Sequence, residues 1–436
     1  MSSPRYESYR DSGVEWLGEV PSHWNLRRIG NYFSERRERV SDKDFLPLSV
    51  TKNGVVPQLE TAAKTDDGDN RKKVISGDFV INSRSDRRGS SGLSLLTGSV
   101  SLINTVLQFK PGLKPEFVNY LLRSENFQNE YYRFGRGIVA DLWSTNFSEM
   151  RNIVLPEPTA EEQNCITVFL DQELAKLDGL IDAQKCLIEL LKDKRQAVIS
   201  HAVTKGLDPT APMKPSGLDW PIVVPAHWEV LPLTRVVAKF VDYRGATPNK
   251  VNDGVPLITA TQIKHGRIDH TLDPAFISEI EYESRMTRGF PTLGDLLLTT
   301  EAPLGEAALI DDERVAPGQR MILMKVRPSK ITSSYLLMHF RSLFGQKELW
   351  TRASGSTASG IRADRLRASQ VLVPPLPEQV ELEQFIHGQT AHFEDLEQEV
   401  NAAVLLLQER RAALISAAVT GKIDVRGIKQ SVAEAA

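Results

Sequence analysis

The sequence predicts an α+β protein in which two mixed α+β globular domains alternate with two long helices. Three observations predict this fold class: a unit that occurs twice along the chain, short apolar runs between turn residues, and two long heptad stretches. The 436 residues suffice for two to four domains of ordinary size. A hydrophobic fraction of 41% and a charged fraction of 25% are typical of a globular protein.

The internal repeat has two anchors. Residues 12–24 match residues 216–228, including both tryptophans, a proline and a histidine, and residues 191–204 match residues 407–420. The segment between the anchors is longer in the second half and has diverged from the first. One scaffold that holds two different inserts, with pseudo-twofold repetition, is expected of a protein that presents two different binding surfaces. His23 and His227 adjoin the repeated tryptophans, and we interpret them as structural anchors.

The globular domains are predicted from short β-type runs between turn residues. These runs lie at residues 45–51, 78–81, 255–260, 296–299 and 321–326. A short helix is expected near residues 115–123 in the first domain and near residues 333–343 in the second.

The first long helix is predicted by a heptad seam from Leu170 to Ala202 that Gly206 ends. A matching seam, with Leu382, Phe385 and Phe393 among its members, runs through residues 378–420. The two helices can pair with each other, or each can pack on its own domain as a surface helix. Heptads of this length favour the pair because they need a continuous partner.

Several classes of protein are excluded by what the sequence lacks. No run is apolar enough for a bilayer span, and the N-terminus lacks the apolar core of a signal peptide, so we expect a cytoplasmic protein. Cys165 and Cys186, the two cysteines, both fall in the first predicted long helix, which excludes a disulfide framework and argues against a cysteine metal site.

Catalytic motifs are also missing. The single Pro-Pro pair, residues 374–375, precedes Leu376 and not the aromatic residue of an adenine methyltransferase motif. No phosphate-binding P-loop is present, and residues 135–140, which fit a dinucleotide pattern, follow a predicted helix instead of a strand. The eight histidines lack zinc-type spacing. We therefore expect no catalytic residue, no metal site and no cofactor in this chain.

Polar loops rich in arginine, lysine, asparagine and glutamine remain as candidate sites. Arginine and lysine pair with guanine and asparagine and glutamine with adenine, although charged loops are also commonly just solvated. The net charge of −3 does not decide between these alternatives, because the arginines cluster locally. The residues that we expect to bind DNA are Lys52, Asn53, Arg84, Arg87, Arg88 and Arg136 in the first domain, and Gln262, Lys264, Arg267, Arg352, Ser356, Thr357 and Arg362 in the second.

The chain resembles type I restriction–modification specificity subunits. The resemblance is carried by the repeated opening at residues 13–24, by the Pro-Pro-Leu-Pro-Glu-Gln sequence at 374–379 and by the helix end at 194–208. It covers nearly all of residues 12–425, including the order of domain, helix, domain, helix. The first copy departs at residues 155–160, which lack the Pro-Pro-Leu of the second.

This resemblance implies a non-catalytic subunit whose two target-recognition domains each bind one half of a bipartite, asymmetric site in double-stranded DNA. It also implies that the two conserved helices form an antiparallel coiled coil that docks two methylation subunits. S-adenosylmethionine, ATP and magnesium are then expected on the methylation and restriction subunits. The implied divisions are a first target-recognition domain at 1–155, a central helix at 156–210, a second target-recognition domain at 211–372, a C-terminal helix at 373–425 and a disordered tail at 426–436.

Two other classes of function compete with this one. A standalone restriction–modification enzyme needs a methyltransferase or nuclease domain, and the chain shows neither motif. A coiled-coil scaffold that does not bind DNA would explain the helices but not the two diverged globular domains.

The helix pair is predicted to act as a ruler between the half-sites. A helix of about 36 residues spans roughly 54 Å, and duplex DNA rises about 3.4 Å per base pair. Deleting one heptad from both helices should shift the spacer of the DNA site or abolish binding, measured by methylome sequencing or gel shift with spacer variants. An unchanged spacer would rule out the ruler.

Overall fold

Each copy of the internal repeat folds around its own four-stranded antiparallel sheet. The computed structural model describes residues 4–59, 68–137, 143–245, 247–354 and 360–427. The chain forms two compact units: unit 1 comprises residues 1–184 and 402–436, and unit 2 comprises residues 185–401. Each unit therefore contains one globular domain together with a part of each long helix.

Unit 1 contains the strands and helices of the first repeat. Its described strands are β1 (Tyr9–Asp11), β2 (Glu19–Pro21), β3 (Asn25–Arg28), β4 (Phe33–Glu35), β5 (Arg39–Val40), β6 (Leu48–Thr51), β7 (Gly54–Pro57), β8 (Arg71–Val74), β9 (Phe79–Asn82), β10 (Ser91–Leu93), β11 (Gly98–Val100), β12 (Asn104–Phe109) and β13 (Val154–Glu157). Its helices are α1 (Ile29–Tyr32), α2 (Pro115–Leu121), α3 (Glu125–Arg133), α4 (Phe147–Met150) and the first part of α5 (Ala160–Lys205). The four-stranded sheet has the order β10-β9-β12-β4, and a smaller sheet has the order β11-β8-β5.

Unit 2 repeats this plan. Its described strands are β14 (Met213–Pro215), β15 (Val223–Pro225), β16 (Glu229–Pro232), β17 (Val237–Asp242), β18 (Val255–Ile258), β19 (Ile263–Lys264), β20 (Arg267–Ile268), β21 (Phe276–Ile277), β22 (Leu296–Thr300), β23 (Leu304–Leu309), β24 (Ala316–Pro317), β25 (Met321–Val326) and β26 (Gln370–Val373). Its helices are α6 (Leu233–Val236), α7 (Glu279–Met286), α8 (Ser333–Arg341), α9 (Leu343–Arg352), α10 (Ala363–Arg367) and the first part of α11 (Leu376–Val419), besides the end of α5. The four-stranded sheet has the order β17-β25-β22-β23.

Both faces of each four-stranded sheet are buried. Alternate residues of a strand point to opposite faces, and residues of both faces belong to buried clusters. In β22, Leu296 and Leu298 join the cluster that contains the long helices, whereas Leu297 joins the cluster around the smaller sheet. In unit 1, Phe79 and Val80 of β9 divide in the same way. Three of the predicted β-type runs, at residues 78–81, 296–299 and 321–326, therefore correspond to the central strands β9, β22 and β25 of the four-stranded sheets.

The heptad segments form α5, with 46 residues, and α11, with 44. In unit 1, Arg411 Nε of α11 lies 2.8 Å from Asp178 Oδ1 of α5. In unit 2, Arg195 Nη1 of α5 lies 3.8 Å from Glu397 Oε1 of α11. Residue numbers rise along one helix as they fall along the other, so the helices pair as an antiparallel coiled coil.

The long helices pair with each other and also pack on a globular domain, so both packing alternatives are true at once. In unit 1, Leu170 of α5 and Ala418 of α11 belong to the same buried cluster as Trp24 and Phe117 of the globular domain. Each long helix therefore packs on its partner helix and on a domain at once, which anchors the helix pair to the domain in that unit.

Two details of the helical prediction need correction or limitation. Phe385, which the heptad pattern put in the seam, is 40% exposed, and Ile386 is buried in its place. The tail was predicted to be disordered from residue 426, yet Arg426 pairs with Asp424 at 2.7 Å and lies over the ring of Tyr6. Residues 428–436 lie outside the described residues. No helix in the described ranges has the length and apolar character to cross a membrane.

A carboxylate at the start of each long helix, buried in unit 1 and half-buried in unit 2, fastens that helix to its domain. His23 Nε2 lies 2.7 Å from Glu162 Oε1, and Trp24 Nε1 donates to the same oxygen at 3.3 Å. In unit 2, His227 and Trp228 contact Glu378 in the same way. The prediction that the two repeated histidines are structural anchors is confirmed. We call each set of three residues a carboxylate clamp.

The ionised form of Glu162 is favoured by its hydrogen bonds. Burial by itself raises the pKa of Glu162, but the hydrogen bonds from His23, Thr159 and Trp24 together outweigh burial and lower the pKa below 4.5. The clamp therefore stabilises the fold at pH values above about 4.5. This contribution is lost as the pH falls through the pKa that Glu162 has in the folded protein, which is lower than its pKa in the unfolded chain.

Glu162→Gln should destabilise unit 1 by about 2 kcal/mol at pH 7, since several hydrogen bonds to a charged acceptor are weakened in a buried place. The measurement is urea unfolding followed by tryptophan fluorescence at pH 7 and below pH 4, where the difference from wild type should shrink. Glu161→Gln is the matched control, because Glu161 lies in the same helical turn and is exposed. An equal cost for both variants would contradict the clamp.

Candidate nucleic-acid interface

In unit 1, three chain segments meet beside the end of β9 and hold several predicted DNA-binding residues together. Ser144 lies between Arg84 and Arg136 and forms β-bridges with both. The amide of Arg136 donates to the Ser144 carbonyl at 2.9 Å, and the amide of Thr145 donates to the Ser83 carbonyl at 2.9 Å. We call this arrangement the three-segment frame.

The arginines of this frame are exposed and weakly paired. Arg84, Arg87 and Arg88 follow β9 and are all exposed. Arg87 Nε lies 3.6 Å from Asp86, and Arg136 Nε lies 3.8 Å from Glu149. Exposed pairs of this kind contribute little to stability, so these guanidinium groups can exchange their partners for a DNA phosphate or base.

The remaining two predicted residues of unit 1 lie at the β6–β7 turn. Lys52 and Asn53 are exposed there, and the Lys52 carbonyl accepts a hydrogen bond from Arg123 Nη2 at 2.7 Å. Lys52 and Arg88 line a cleft of about 510 Å³, to which Arg123 and Arg411 also contribute. The structure thus joins the Lys52 turn to the Arg84–Arg88 segment through one basic cleft.

Unit 2 contains a three-segment frame at the equivalent place. Gly360 lies between Glu301, which follows β22, and Ser354, which follows α9. The amide of Ser354 donates to the Gly360 carbonyl at 2.9 Å, and the amide of Ile361 donates to the Thr300 carbonyl at 2.9 Å. The backbone pattern is that of unit 1, although the side chains differ.

The residues predicted around this second frame differ in how readily their side chains could contact DNA. Arg362 is exposed, with Asp364 at 3.6 Å. Arg352 is held by Glu348 at 3.1 Å, so it is the less available of the two. Ser356 and Thr357 lie outside the described residues.

Lys264 and Arg267 lie on a different part of unit 2. They face each other across the β19–β20 hairpin, and both are exposed. Arg267 Nη2 lies 3.4 Å from Glu394 of α11 and lines a groove of about 590 Å³. Among the described residues, no hydrogen bond or ion pair links this hairpin to Arg352 or Arg362.

Gln262 does not suit the role that the sequence suggested for it. It is buried, and its Oε1 accepts hydrogen bonds from the Thr259 amide at 2.7 Å and the Thr259 hydroxyl at 3.1 Å. These contacts form a capping box on a short 3-10 helix, Ala260–Gln262. Its side chain could contact a base only if this box opened, so we leave Gln262 out of the interface.

Comparison with known proteins agrees with this geometry. A family model described as type I restriction modification DNA specificity domain matches residues 225–406. The EcoBI specificity subunit of Escherichia coli is 23% identical over 285 residues, which are 64% of this chain and 60% of that protein. The EcoKI specificity subunit of Escherichia coli K12 is 21% identical over 330 residues, 72% of this chain and 68% of that protein. Over these ranges the chain is similar to type I restriction–modification specificity subunits.

Solved structures from type I restriction–modification systems share the fold of this chain. A chain solved in a study of complex assembly and conformational transition of the type I restriction–modification system has a TM-score of 0.67 at 16% identity, with 92% of this chain and 98% of that chain covered. The HsdS subunit from Thermoanaerobacter tengcongensis has a TM-score of 0.50 at 17% identity, with coverages of 93% and 98%. The matched domain at 225–406 lies mainly in unit 2, and unit 1 repeats its element order.

Sequence reasoning missed two arginines of the basic cleft, Arg123 and Arg411. Arg123 lies in the turn between α2 and α3 and Arg411 lies in α11, so both are outside the polar loops that the sequence indicated. The repeat held a signal for both, since Arg123-Ser124 matches Arg341-Ser342 and Arg411 matches Arg195.

Gln262→Ala should destabilise unit 2 by about 1–2 kcal/mol, because the variant loses the capping box and leaves buried groups of Thr259 unpaired. It should leave DNA affinity unchanged under conditions where the chain is folded. Lys264 is two residues away and exposed, so Lys264→Ala should weaken DNA binding and leave the stability of unit 2 unchanged. Thermal unfolding and DNA-binding anisotropy on both variants check this pair, and a Gln262 variant with normal stability and weakened binding would contradict it.

Proposed function

We propose that this chain recognises an asymmetric, two-part sequence in double-stranded DNA, one half per unit, as the specificity subunit of a type I restriction–modification complex. The observation that carries the proposal is the repeated three-segment frame. Its backbone pattern is the same in both units, but Arg84 and Arg136 occupy in unit 1 the places that Glu301 and Ser354 occupy in unit 2.

Different side chains on one backbone frame favour different bases. Arginine donates two hydrogen bonds to the O6 and N7 of guanine, whereas glutamate accepts from the amino group of cytosine. Each such contact discriminates against a wrong base by about 1–3 kcal/mol. Two frames with different side chains therefore select two different half-sites, and the whole target is asymmetric.

The exposed cations of unit 1 supply the sequence-independent part of the affinity. Lys52 and Arg88 are exposed beside the frame, where they can contact phosphates and release condensed counterions. These contacts fix the position of the duplex, so that the frame side chains meet the base edges.

The long helices offer equivalent apolar contacts to partner subunits. Leu190 of α5, in unit 2, is 58% exposed, and Leu406 of α11, in unit 1, is 65% exposed. These two leucines occupy matching positions of the repeat, one position before the second anchor. We propose that each contacts one methylation subunit, so that two methylation subunits bind, and that restriction subunits join the same assembly.

The chain acts in this proposal without chemistry of its own. The relatives that it resembles are named specificity subunits, which is the support for this division of labour. S-adenosylmethionine is assigned to the methylation subunits, and ATP and magnesium are assigned to the restriction subunits.

The decisive experiment is methylome sequencing of a host that expresses this chain with the methylation subunit encoded beside it. We expect a new adenine-methylated, two-part motif that disappears when this chain is deleted. If the complex assembles but no motif appears, the chain is a scaffold that does not recognise DNA, and the proposal is wrong.

Arg87→Ala and Arg362→Ala should each relax recognition of one half-site only. Both arginines are exposed and weakly paired, so their loss costs little stability. DNA-binding anisotropy against duplexes with single-base changes should show discrimination falling by about tenfold in one half-site and unchanged in the other. Each variant serves as the control for the other. A uniform loss across all duplexes would instead identify a phosphate contact.

A further inference from the structure

Each unit places an arginine at the elbow between two short helices. Arg123 precedes Ser124, whose hydroxyl accepts from the Phe127 amide and caps α3. Arg341 precedes Ser342, whose hydroxyl accepts from the Gly345 amide and caps α9. The capping serine fixes the elbow, and each arginine therefore has a fixed starting point on its domain.

A second arginine, from the long-helix pair, approaches each elbow. Burial, followed by the charge of Arg411, lowers the pKa of Arg123. Burial, followed by the charge of Arg195, lowers the pKa of Arg341. Arg411 and Arg195 are equivalent residues of the repeat. In unit 1, Arg123 and Arg411 line the same cleft, and two like charges near each other are unfavourable unless an anion lies nearby.

Unit 2 supplies this anion from its own side chains. The charges of Glu394 and Glu306 raise the pKa of Arg341 and so oppose the effect of burial. Arg195 also has Glu397 at 3.8 Å. The groove at this elbow is lined by Arg267 and Arg341 together with two carboxylates, those of Glu383 and Glu394, so its charges balance.

Unit 1 lacks this balance. The cleft at its elbow is lined by Lys52, Arg88, Arg123 and Arg411, with Glu125 as the acidic residue among its lining. Asp178 pairs with Arg411 at 2.8 Å, but among the described residues no carboxylate lies within 4.0 Å of the Arg123 guanidinium. The cleft therefore has an excess of positive charge in a partly desolvated place.

We propose that this cleft in unit 1 binds a backbone phosphate of the DNA, held by Arg123 together with Arg411 of α11. The inference rests on the proposed function and adds to it a contact made by the long helix. A phosphate matches the planar, forked donors of two guanidinium groups. The cleft opens beside the exposed Arg88 and Lys52, so a duplex on the candidate interface passes its mouth.

Arg123→Gln and Arg411→Gln should each weaken DNA binding and reduce the slope of log affinity against log salt by about 1, since one phosphate contact releases about one counterion. The assay is DNA-binding anisotropy with the full chain and its methylation subunits at several salt concentrations. The loss should be equal on the cognate duplex and on a random duplex, because a phosphate contact carries no sequence information.

Arg341→Gln is the matched control, because it removes the equivalent arginine where carboxylates already balance the charge. Its salt slope should stay at the wild-type value. Thermal unfolding of all three variants shows whether each is folded. Arg123→Gln could also disturb the Lys52 turn, so the same result from Arg411→Gln separates a phosphate contact from that structural effect.

A methylphosphonate scan of the cognate duplex completes the test. One neutral phosphate position should weaken wild-type binding yet leave Arg123→Gln and Arg411→Gln unaffected. Unchanged salt slopes would overturn the inference, as would loss of the methylation subunits without a change in slope, which would identify a partner's carboxylate as the anion. If the wild type binds all duplexes alike, sequence recognition fails, while the random duplex still tests the phosphate contact.

Discussion

The carboxylate clamps fix the relation between each domain and the helix that follows it. Glu162 and Glu378 are the first-turn residues that receive the histidine and tryptophan donors of the preceding domain. A carboxylate also suits the positive end of a helix dipole, so one group satisfies the helix terminus and the domain contact together. Because the helix pair is anchored in this way, Arg411 and Arg195 start from defined places on the long helices.

The repeat is retained where packing constrains it and diverges where the surface meets solvent. Trp24 and Trp228 are both fully buried, and either one could be changed only at the cost of a cavity. Residues of the three-segment frames, by contrast, pair through their backbones, and a backbone ladder tolerates almost any side chain. The fold can therefore keep two identical supports while the side chains on them change independently.

Much of this architecture follows from sequence pattern, and the exceptions have physical causes. Apolar runs and heptads predict the sheets and the long helices, since burial of alternating or seam residues dominates both. The pattern cannot separate Phe385 from Ile386, because two adjacent apolar residues fit the seam equally well and packing decides. Gln262 could have been recognised, because Thr259 and Gln262 have the spacing of a capping box. The contact of Arg123 with the Lys52 turn joins residues far apart in the chain and has no local signature.

The distribution of paired charges explains how a chain with a net charge of −3 can bind a polyanion. A cation in a largely buried ion pair adds little to the potential outside the protein, as with Arg195 beside Glu397 in unit 2. Arg123 has no such partner among the described residues, and Arg88 has the neutral Asn129 as its hydrogen-bond partner and lies over the ring of Tyr132. Unit 1 can therefore attract phosphate strongly although the whole chain is acidic, whereas Glu394 and Glu397 neutralise cations at the equivalent place in unit 2.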